Sequence, residues 1–271
     1  MVPRVVVYIR HKIYHLVMTK KVLIPLPSID FDPTECAVPW HILKSSDIEV
    51  IFATPDGKKA MCDQKMLHGR GLFIFASVLK ADLSAQQKYV ELENSKEFKN
   101  PIKWSEIEST HYDGILLPGG HAQGMKVYLE SSKLQEIVSE FFKASKPVGA
   151  ICHGVVLAAR SKRADGKSVL YEKKTTALLK AQEISAWAMT CLWLGSYYRT
   201  YPQTVEAEVK SRLSSPMNFI KGPLPLMRGQ SDKLERGFTV VDGLYVSARW
   251  PGDAHKFAMD FLELLNKAAG N

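Results

Sequence analysis

The sequence predicts a doubly wound α/β fold, in which a mostly parallel sheet has helices on both faces. Three observations support this prediction. Short apolar runs of strand length alternate along the chain with longer segments of helical periodicity. Turn sequences such as TPDG at residues 54–57 separate these segments. The length of 271 residues and the hydrophobic content of 46% are sufficient for a substantial core.

The first half of the chain supplies most of the expected sheet. Its predicted elements are a strand over 21–26, a helix capped by Thr34 and running to about Lys44, a strand over 48–53, a helix over 82–92, a strand over 115–117, an amphipathic helix over 132–144, a strand over 148–151 and a helix over 154–159. Residues 58–80 show no decisive pattern.

The second half is predicted to complete the sheet with a hairpin and a final helix. Its expected elements are strands at 168–170 and near 175–178, a helix over about 183–194, strands over 238–241 and 244–248, and a helix over 251–268. Asp242-Gly243 between the last two strands is a hairpin signal. Pro251 suits the first turn of the final helix.

We expect one domain over residues 20–271 with a lid-like insertion at about 196–237. That insertion is punctuated by prolines and contains three tyrosines near its start, so a lid, a dimer contact and a peripheral insertion all remain open. Residues 1–19 are expected to be an N-terminal extension, either non-native or disordered. Met18 is the preferred start, because the sequence after it would itself suit a first strand.

Composition and charge exclude several classes of protein. The net charge of +8 falls to +5 without the first seventeen residues, with 33 basic against 28 acidic residues interleaved along the chain. This pattern indicates a solvated surface and no nucleic-acid partner. No apolar run approaches the roughly 20 residues of a membrane-spanning helix. The four cysteines show neither a CxxC pair nor zinc spacing, so we expect free thiols, no metal and a cytoplasmic protein.

Three strand-to-helix loops carry residues of chemical interest. They contain Glu35, the pair Gly119 and Gly120, and the pair Cys152 and His153. In an open parallel sheet such loops lie along the carboxyl edge, where ligands bind. A carboxyl group, a glycine pair and a thiol are therefore expected to converge.

Cys152 has the surroundings of a nucleophile on a tight turn. Ala150 and Gly154 provide the small neighbours that such a turn needs on each side. A helix N-terminus favours the thiolate, so the pKa of Cys152 is expected below that of a free cysteine. The same stretch also fits a buried cysteine beside a capping histidine, and taken alone it does not decide between the two.

The neighbouring residues have predicted supporting roles. The backbone N–H groups of Gly120 and His153 are expected to form an oxyanion hole. Glu35 is expected to be partly protonated and to shuttle a proton. Gly119 and His121 are expected to line the site.

Two stretches resemble the ThiJ/PfpI superfamily, whose flavodoxin-like fold is similar to that of class I glutamine amidotransferases. They are "ILLPGGHAQGM" and "KPVGAICHGVVLAAR", and the C-terminal "VVDGLYVSARWPGDAHKFAMDFLELL" resembles the family's closing hairpin and helix. The family also has a glutamate four residues before a proline, as Glu35 stands before Pro39. The resemblance implies a nucleophile elbow at Cys152 and a homodimer.

A histidine directly after the cysteine is similar to the glyoxalase III and heat-shock chaperone branch. In that branch an acidic residue after a "TT" strand orients the histidine, and the stretch "TTALLKAQE" points to Glu183. The resemblance therefore implies a triad of Cys152, His153 and Glu183, with Glu35 as a fourth essential group.

The implied activity is cofactor-free conversion of small 2-oxoaldehydes such as methylglyoxal to 2-hydroxy acids. This is a glutathione-independent glyoxalase III, or D-lactate dehydratase, with possible deglycase activity. Two alternatives from other classes stay open. One is a holdase chaperone or redox sensor that uses Cys152, and the other is a hydrolase or hydratase of another small molecule.

Overall fold

The computed structural model describes residues 19–268, so the expected extension lies outside the described residues apart from Thr19. The strands are β1 Lys21–Pro25, β2 Ile29–Phe31, β3 Glu49–Thr54, β4 Met61–Cys62, β5 Ile102–Lys103, β6 Gly114–Leu117, β7 Val148–Ile151, β8 Thr239–Asp242 and β9 Tyr245–Ala248. The helices are α1 Pro33–Lys44, α2 Gln64–His68, α3 Ala76–Leu79, α4 Leu83–Asn94, α5 Lys96–Lys99, α6 Met125–Leu129, α7 Ser132–Lys143, α8 Gly154–Arg160, α9 Lys180–Leu194, α10 Val205–Ser211 and α11 Ala254–Ala268.

Seven strands form one sheet in the order β5-β3-β1-β6-β7-β9-β8. Every neighbouring pair is parallel except the hairpin of β8 and β9. Helix α1 packs against α11, and α7 packs against α8, so helices flank the sheet. The predicted doubly wound fold is confirmed. The short strands β2 and β4 form a separate parallel pair.

The core is built from the apolar faces that the sequence pattern predicts. Along β6 and β7 every residue is buried, as expected for central strands covered on both sides. The buried face of α7 consists of Leu134, Ile137, Val138 and Phe141. None of the helices within residues 19–268 is long and apolar enough to cross a membrane.

Two local predictions differ from the structure. The cap of α1 is Asp32, whose carboxylate accepts hydrogen bonds from the N–H groups of Thr34 and Glu35, so Thr34 lies inside the helix. The segments 168–170 and 175–178 are not strands, although Thr175 makes an isolated bridge to Phe219. The Thr175 hydroxyl bonds to the side chains of Tyr245 and Ser247 in β9. The backbone of residues 175–178 does not pair with the sheet as a further strand.

A buried ion pair joins the end of β9 to the start of α11. Arg249 donates from Nε and Nη2 to the two carboxylate oxygens of Asp253, at 2.8 and 3.0 Å, and both side chains are at most 1% exposed. Arg249 Nη1 also donates to the carbonyl oxygens of Lys221 and Pro223. The pair therefore attaches part of the 196–237 segment to the carboxyl edge of the sheet.

We expect Arg249→Met to lower the free energy of unfolding by about 3–5 kcal/mol, because it leaves the Asp253 carboxylate buried without its cation. Urea denaturation measures this change. The exposed Arg236 provides a matched control, and Arg236→Met is expected to change stability by no more than about 0.5 kcal/mol. Equal, small effects of the two substitutions would contradict the prediction.

Candidate active site

The three loops identified in the sequence meet at one edge because β1, β6 and β7 are neighbours in the sheet. The N–H of Gly119 donates to Glu35 Oε2 at 2.9 Å. A Cβ atom at Gly119 would lie 2.7 Å from that oxygen and 2.9 Å from Cys152 Cβ. Only glycine leaves room for the carboxyl group and the cysteine to approach the same loop.

Cys152 occupies the turn between β7 and α8 in a left-handed conformation, with φ of 57°. This conformation is costly for a residue with a side chain and persists only where the surroundings enforce it. The Cys152 N–H donates to the carbonyl of Ala248 at 3.0 Å. A Cβ atom at Gly154 would lie 2.1 Å from the Leu117 carbonyl oxygen, so the turn also requires glycine there.

His153 is hydrogen-bonded through both ring nitrogens. Its Nδ1 lies 3.4 Å from Cys152 Sγ, and its Nε2 lies 3.0 Å from the Thr200 hydroxyl. The single Thr200 proton is donated to the carbonyl oxygen of His121, which can only accept. The Thr200 oxygen must then accept from His153 Nε2–H, which leaves the Nδ1 lone pair facing the thiol. Burial lowers the pKa of His153 to about 3, so the ring is neutral.

Among the described residues no hydrogen bond joins Glu183 to His153, because both ring nitrogens of His153 have other partners. The triad of Cys152, His153 and Glu183 stays a prediction that this geometry does not favour. The Glu183 carboxylate accepts from the N–H of Val205 at 2.9 Å and pairs with Arg199 at 3.1 Å. Glu183 is thus committed to the N-terminus of α10 and to a cation, and Thr200 occupies the position expected for the orienting acid. Glu183 still lines the cavity that contains Cys152.

Burial dominates the ionisation of the acidic groups. Loss of solvation, together with the charge of Asp32, holds the pKa of Glu35 well above its usual range. Burial likewise raises the pKa of Asp32 to about 6, although two backbone N–H groups oppose the shift. The expectation that Glu35 carries a proton therefore agrees with the direction of its pKa shift.

The pKa of Cys152 is shifted in the opposite direction to the sequence expectation. Burial, followed by the charges of Glu35 and Asp32, raises it well above the value of a free thiol. The helix N-terminus argument omitted both effects: the side chain is only 5% exposed and two carboxyl groups lie near it. The resting thiol is therefore expected to be protonated.

Of the two residues predicted to line the site, His121 lines the cavity, whereas Gly119 donates its N–H to Glu35. Gly120, in a left-handed conformation with φ of 147°, and His121 both line the cavity. The His121 ring stacks on Tyr198 at 4.4 Å and meets Tyr197 edge-on, and burial lowers its pKa. The oxyanion hole formed by the N–H groups of Gly120 and His153 remains a prediction.

A cavity of about 410 Å³ opens over Cys152. Its wall combines the loops of the sheet with α9 and with the 196–237 segment, which contributes Tyr198, Leu224, Pro225, Leu226 and Arg228. Whether that segment moves as a lid remains a prediction. The volume is within the range of small-molecule sites.

Sequence reasoning missed Asp32, Thr200 and Arg228 as parts of the site. Asp32 carried a usable signal, because an aspartate followed by Pro33 is the pattern of a helix cap and a first-turn proline. Thr200 and Arg228 lie in irregular chain, where no periodicity marks them.

Because burial and nearby carboxylates raise its pKa, we expect Cys152 to be alkylated by iodoacetamide with a pH midpoint above the roughly 8.5 of a free thiol. Glu35→Gln removes a carboxyl group that contributes to raising the pKa of Cys152, and it is expected to move the midpoint to lower pH. Mass spectrometry of the Cys152 peptide gives the midpoint directly.

Glu183→Gln is the matched control for this experiment. It removes a carboxylate that lines the same cavity but is paired with Arg199, and it is expected to leave the midpoint unchanged. A wild-type midpoint below that of a free thiol would show that the helix N-terminus outweighs burial.

Comparison with known sequences and structures supports the fold. The chain matches the family described as "ThiJ/PfpI family-like" over residues 26–216. It is 27% identical over 157 residues to the glutathione-independent glyoxalase hsp3102 of Schizosaccharomyces pombe, covering 55% of this chain and 60% of that protein. It is 23% identical over 164 residues to the deglycase TK1284 of Thermococcus kodakarensis, covering 60% and 69%. The chain spans about half the length of the first curated relatives it matches.

Among solved structures, glyoxalase III from Candida albicans superposes with a TM-score of 0.66 at 21% identity, over 90% of this chain and 97% of that one. Rapid encystment protein 24 kDa of Francisella tularensis superposes with a TM-score of 0.68 at 17% identity, over 91% and 99%. These similarities concern the fold, while the family match covers most of the chain. The chain belongs to the ThiJ/PfpI-like family.

Proposed function

We propose that this protein is a cysteine-dependent, glutathione-independent glyoxalase that converts 2-oxoaldehydes to 2-hydroxy acids. The observation that carries the proposal is the contact of the Cys152 thiol with the unprotonated nitrogen of a neutral His153, beside the buried Glu35 carboxyl. A nucleophile and a proton carrier thereby line one cavity, and a base contacts the nucleophile. The S. pombe relative is named a glutathione-independent glyoxalase, which supports the proposed reaction, and the Thermococcus relative is named a deglycase, which supports the possible deglycase activity.

The first step is addition of the thiol to the aldehyde. As the sulfur–carbon bond forms, the carbonyl π bond breaks, and the thiol proton passes to His153 Nδ1 and then to the new alkoxide. The product is a hemithioacetal, and no net charge is created in the buried site. Deprotonation at the moment of attack removes the need for a resting thiolate, which burial opposes.

The second step is isomerisation of the adduct. Glu35, which is protonated at rest, gives its proton to the C2 carbonyl oxygen and takes the C1 proton, which forms an enediol. It then returns that proton to C2 and takes the proton of the C1 hydroxyl, so that C1 is oxidised to a thioester, C2 is reduced to an alcohol and Glu35 is again protonated. A raised pKa suits this exchange, because the carboxyl group must both accept and release a proton near neutral pH. Water then cleaves the thioester to release the 2-hydroxy acid and restore the thiol.

The same addition to a glycated amine or thiol would appear as deglycase activity, and with methylglyoxal the glyoxalase reaction would yield lactate. D-lactate as the product and action as a homodimer in the cytoplasm are part of the proposal. Redox sensing is less well supported, since an exposed thiolate is oxidised most readily and Cys152 is 5% exposed.

Lactate production from methylglyoxal without glutathione tests the proposal. We expect wild-type turnover, and a loss of at least about 100-fold in kcat/KM for both Cys152→Ala and Glu35→Gln, because each removes a group that exchanges a bond or a proton with the substrate. Cys191→Ala is the control, since Cys191 does not line the cavity. Inactive wild-type protein, or turnover that survives Cys152→Ala, would refute the proposal.

Thr200 is a positioning residue in this scheme, because it fixes the His153 proton on Nε2. Thr200→Val is expected to lower kcat about 10-fold with little change in KM, whereas Thr200→Ser is expected to restore it. Glu183→Gln is expected to have the smaller effect on kcat. A larger loss with Glu183→Gln, or no rescue by serine, would favour the triad implied by the family resemblance.

A further inference from the structure

Two hydrogen-bond donors beside the cavity have no acceptor. Arg228 Nη1 and Trp250 Nε1 are both buried without a partner among the described residues, and both side chains line the cavity that contains Cys152. The guanidinium carbon of Arg228 lies 5.5 Å from the centre of the Trp250 ring. Buried donors without acceptors cost free energy, and two such donors adjacent to an open cavity indicate a missing acceptor.

No carboxylate among the described residues hydrogen-bonds to Arg228. Its Nη2 donates to the carbonyl oxygens of Val78 and Leu79, which anchor the side chain but carry no net charge. Asp32, Asp82 and Glu35 act on Arg228 through their charges without a direct hydrogen bond. Burial raises the pKa of Asp32 and Glu35, which weakens their share of this compensation.

The rest of the cavity wall is largely apolar. Its apolar side chains include Met66, Leu79, Leu178, Met189, Leu226 and Pro251. A three-carbon aldehyde would occupy a small part of about 410 Å³ and would leave most of this wall without contacts. The cavity therefore suits a larger molecule with an apolar body.

We infer that the preferred substrate is a 2-oxoaldehyde with an apolar body and a carboxylate at its far end, which Arg228 and Trp250 bind. A carboxylate matches the planar donor geometry of a guanidinium and supplies the hydrogen-bonded counter-charge that Arg228 lacks. The indole N–H adds a second, uncharged donor. The aldehyde end would then reach Cys152 in the same cavity. The assignment of an aldehyde rests on the proposed function, while the carboxylate subsite is independent of it.

Binding of two unreactive ligands of the same shape tests the subsite. Calorimetry with the wild-type protein is expected to give a Kd for 4-acetylbenzoate about 10-fold lower than for its neutral counterpart 4-acetylbenzamide. Arg228→Met is expected to abolish this preference, and the exposed control Arg236→Met to retain it. Equal binding of the two ligands, no binding of either, or a preference that survives Arg228→Met would overturn the inference.

Trp250→Phe keeps the ring and removes only the donor, so it tests the subsite even if Arg228→Met does not fold. It is expected to reduce the preference several-fold, and an unchanged preference would remove Trp250 from the subsite. Turnover separates this inference from the proposed function: we expect a higher kcat/KM for 4-carboxyphenylglyoxal than for phenylglyoxal. Selective binding without turnover of any 2-oxoaldehyde would refute the proposed function and leave the subsite in place.

Discussion

The close approach of the two backbone segments that follow β6 and β7 determines the rest of the site. Gly154 lies against the Leu117 carbonyl with no room for a side chain, and this contact forces the chain to leave β7 through the left-handed turn at Cys152. Gly119 provides the second contact and orients the Glu35 carboxyl through its N–H. The thiol and the carboxyl group are therefore positioned by backbone packing, which is more rigid than contacts between side chains.

This packing also excludes water, which explains the protonation states. A thiol and two carboxyl groups that share a dry site cannot all be ionised, so burial raises the pKa of each. His153 is neutral for the same reason. Such a site favours a neutral thiol that transfers its proton to a neighbouring group during the reaction over a resting thiolate. The Thr200 hydroxyl is suited to such a site, because it orients the ring without adding a further negative charge.

The fold and the convergence of Glu35, Gly119 and Cys152 were predictable because they depend on local patterns. Apolar strand runs, a helix with Leu134 and Ile137 on one face, and the small residues around Cys152 each carry their own signal. The partner of His153 was not predictable in the same way. Thr200 is 47 residues away in irregular chain, and its role depends on how that chain folds back over the sheet. The pKa of Cys152 was predicted with the wrong sign because burial is a property of the whole fold.

The groups proposed to react and the groups proposed to select the substrate come from different parts of the chain. The sheet loops supply Glu35, Gly119 and Cys152, whereas the 196–237 segment supplies Thr200 and Arg228. Arg249 links the two parts, because its guanidinium holds the carbonyl groups of residues 221 and 223 while it pairs with Asp253. Apart from Thr200, the side chains that this segment contributes to the cavity form no hydrogen bond to Cys152 or His153, so they can change without disturbing the turn at Cys152. Differences in substrate among proteins with this fold are therefore expected to arise from the segment that covers the edge, while the reacting groups stay in the loops of the sheet.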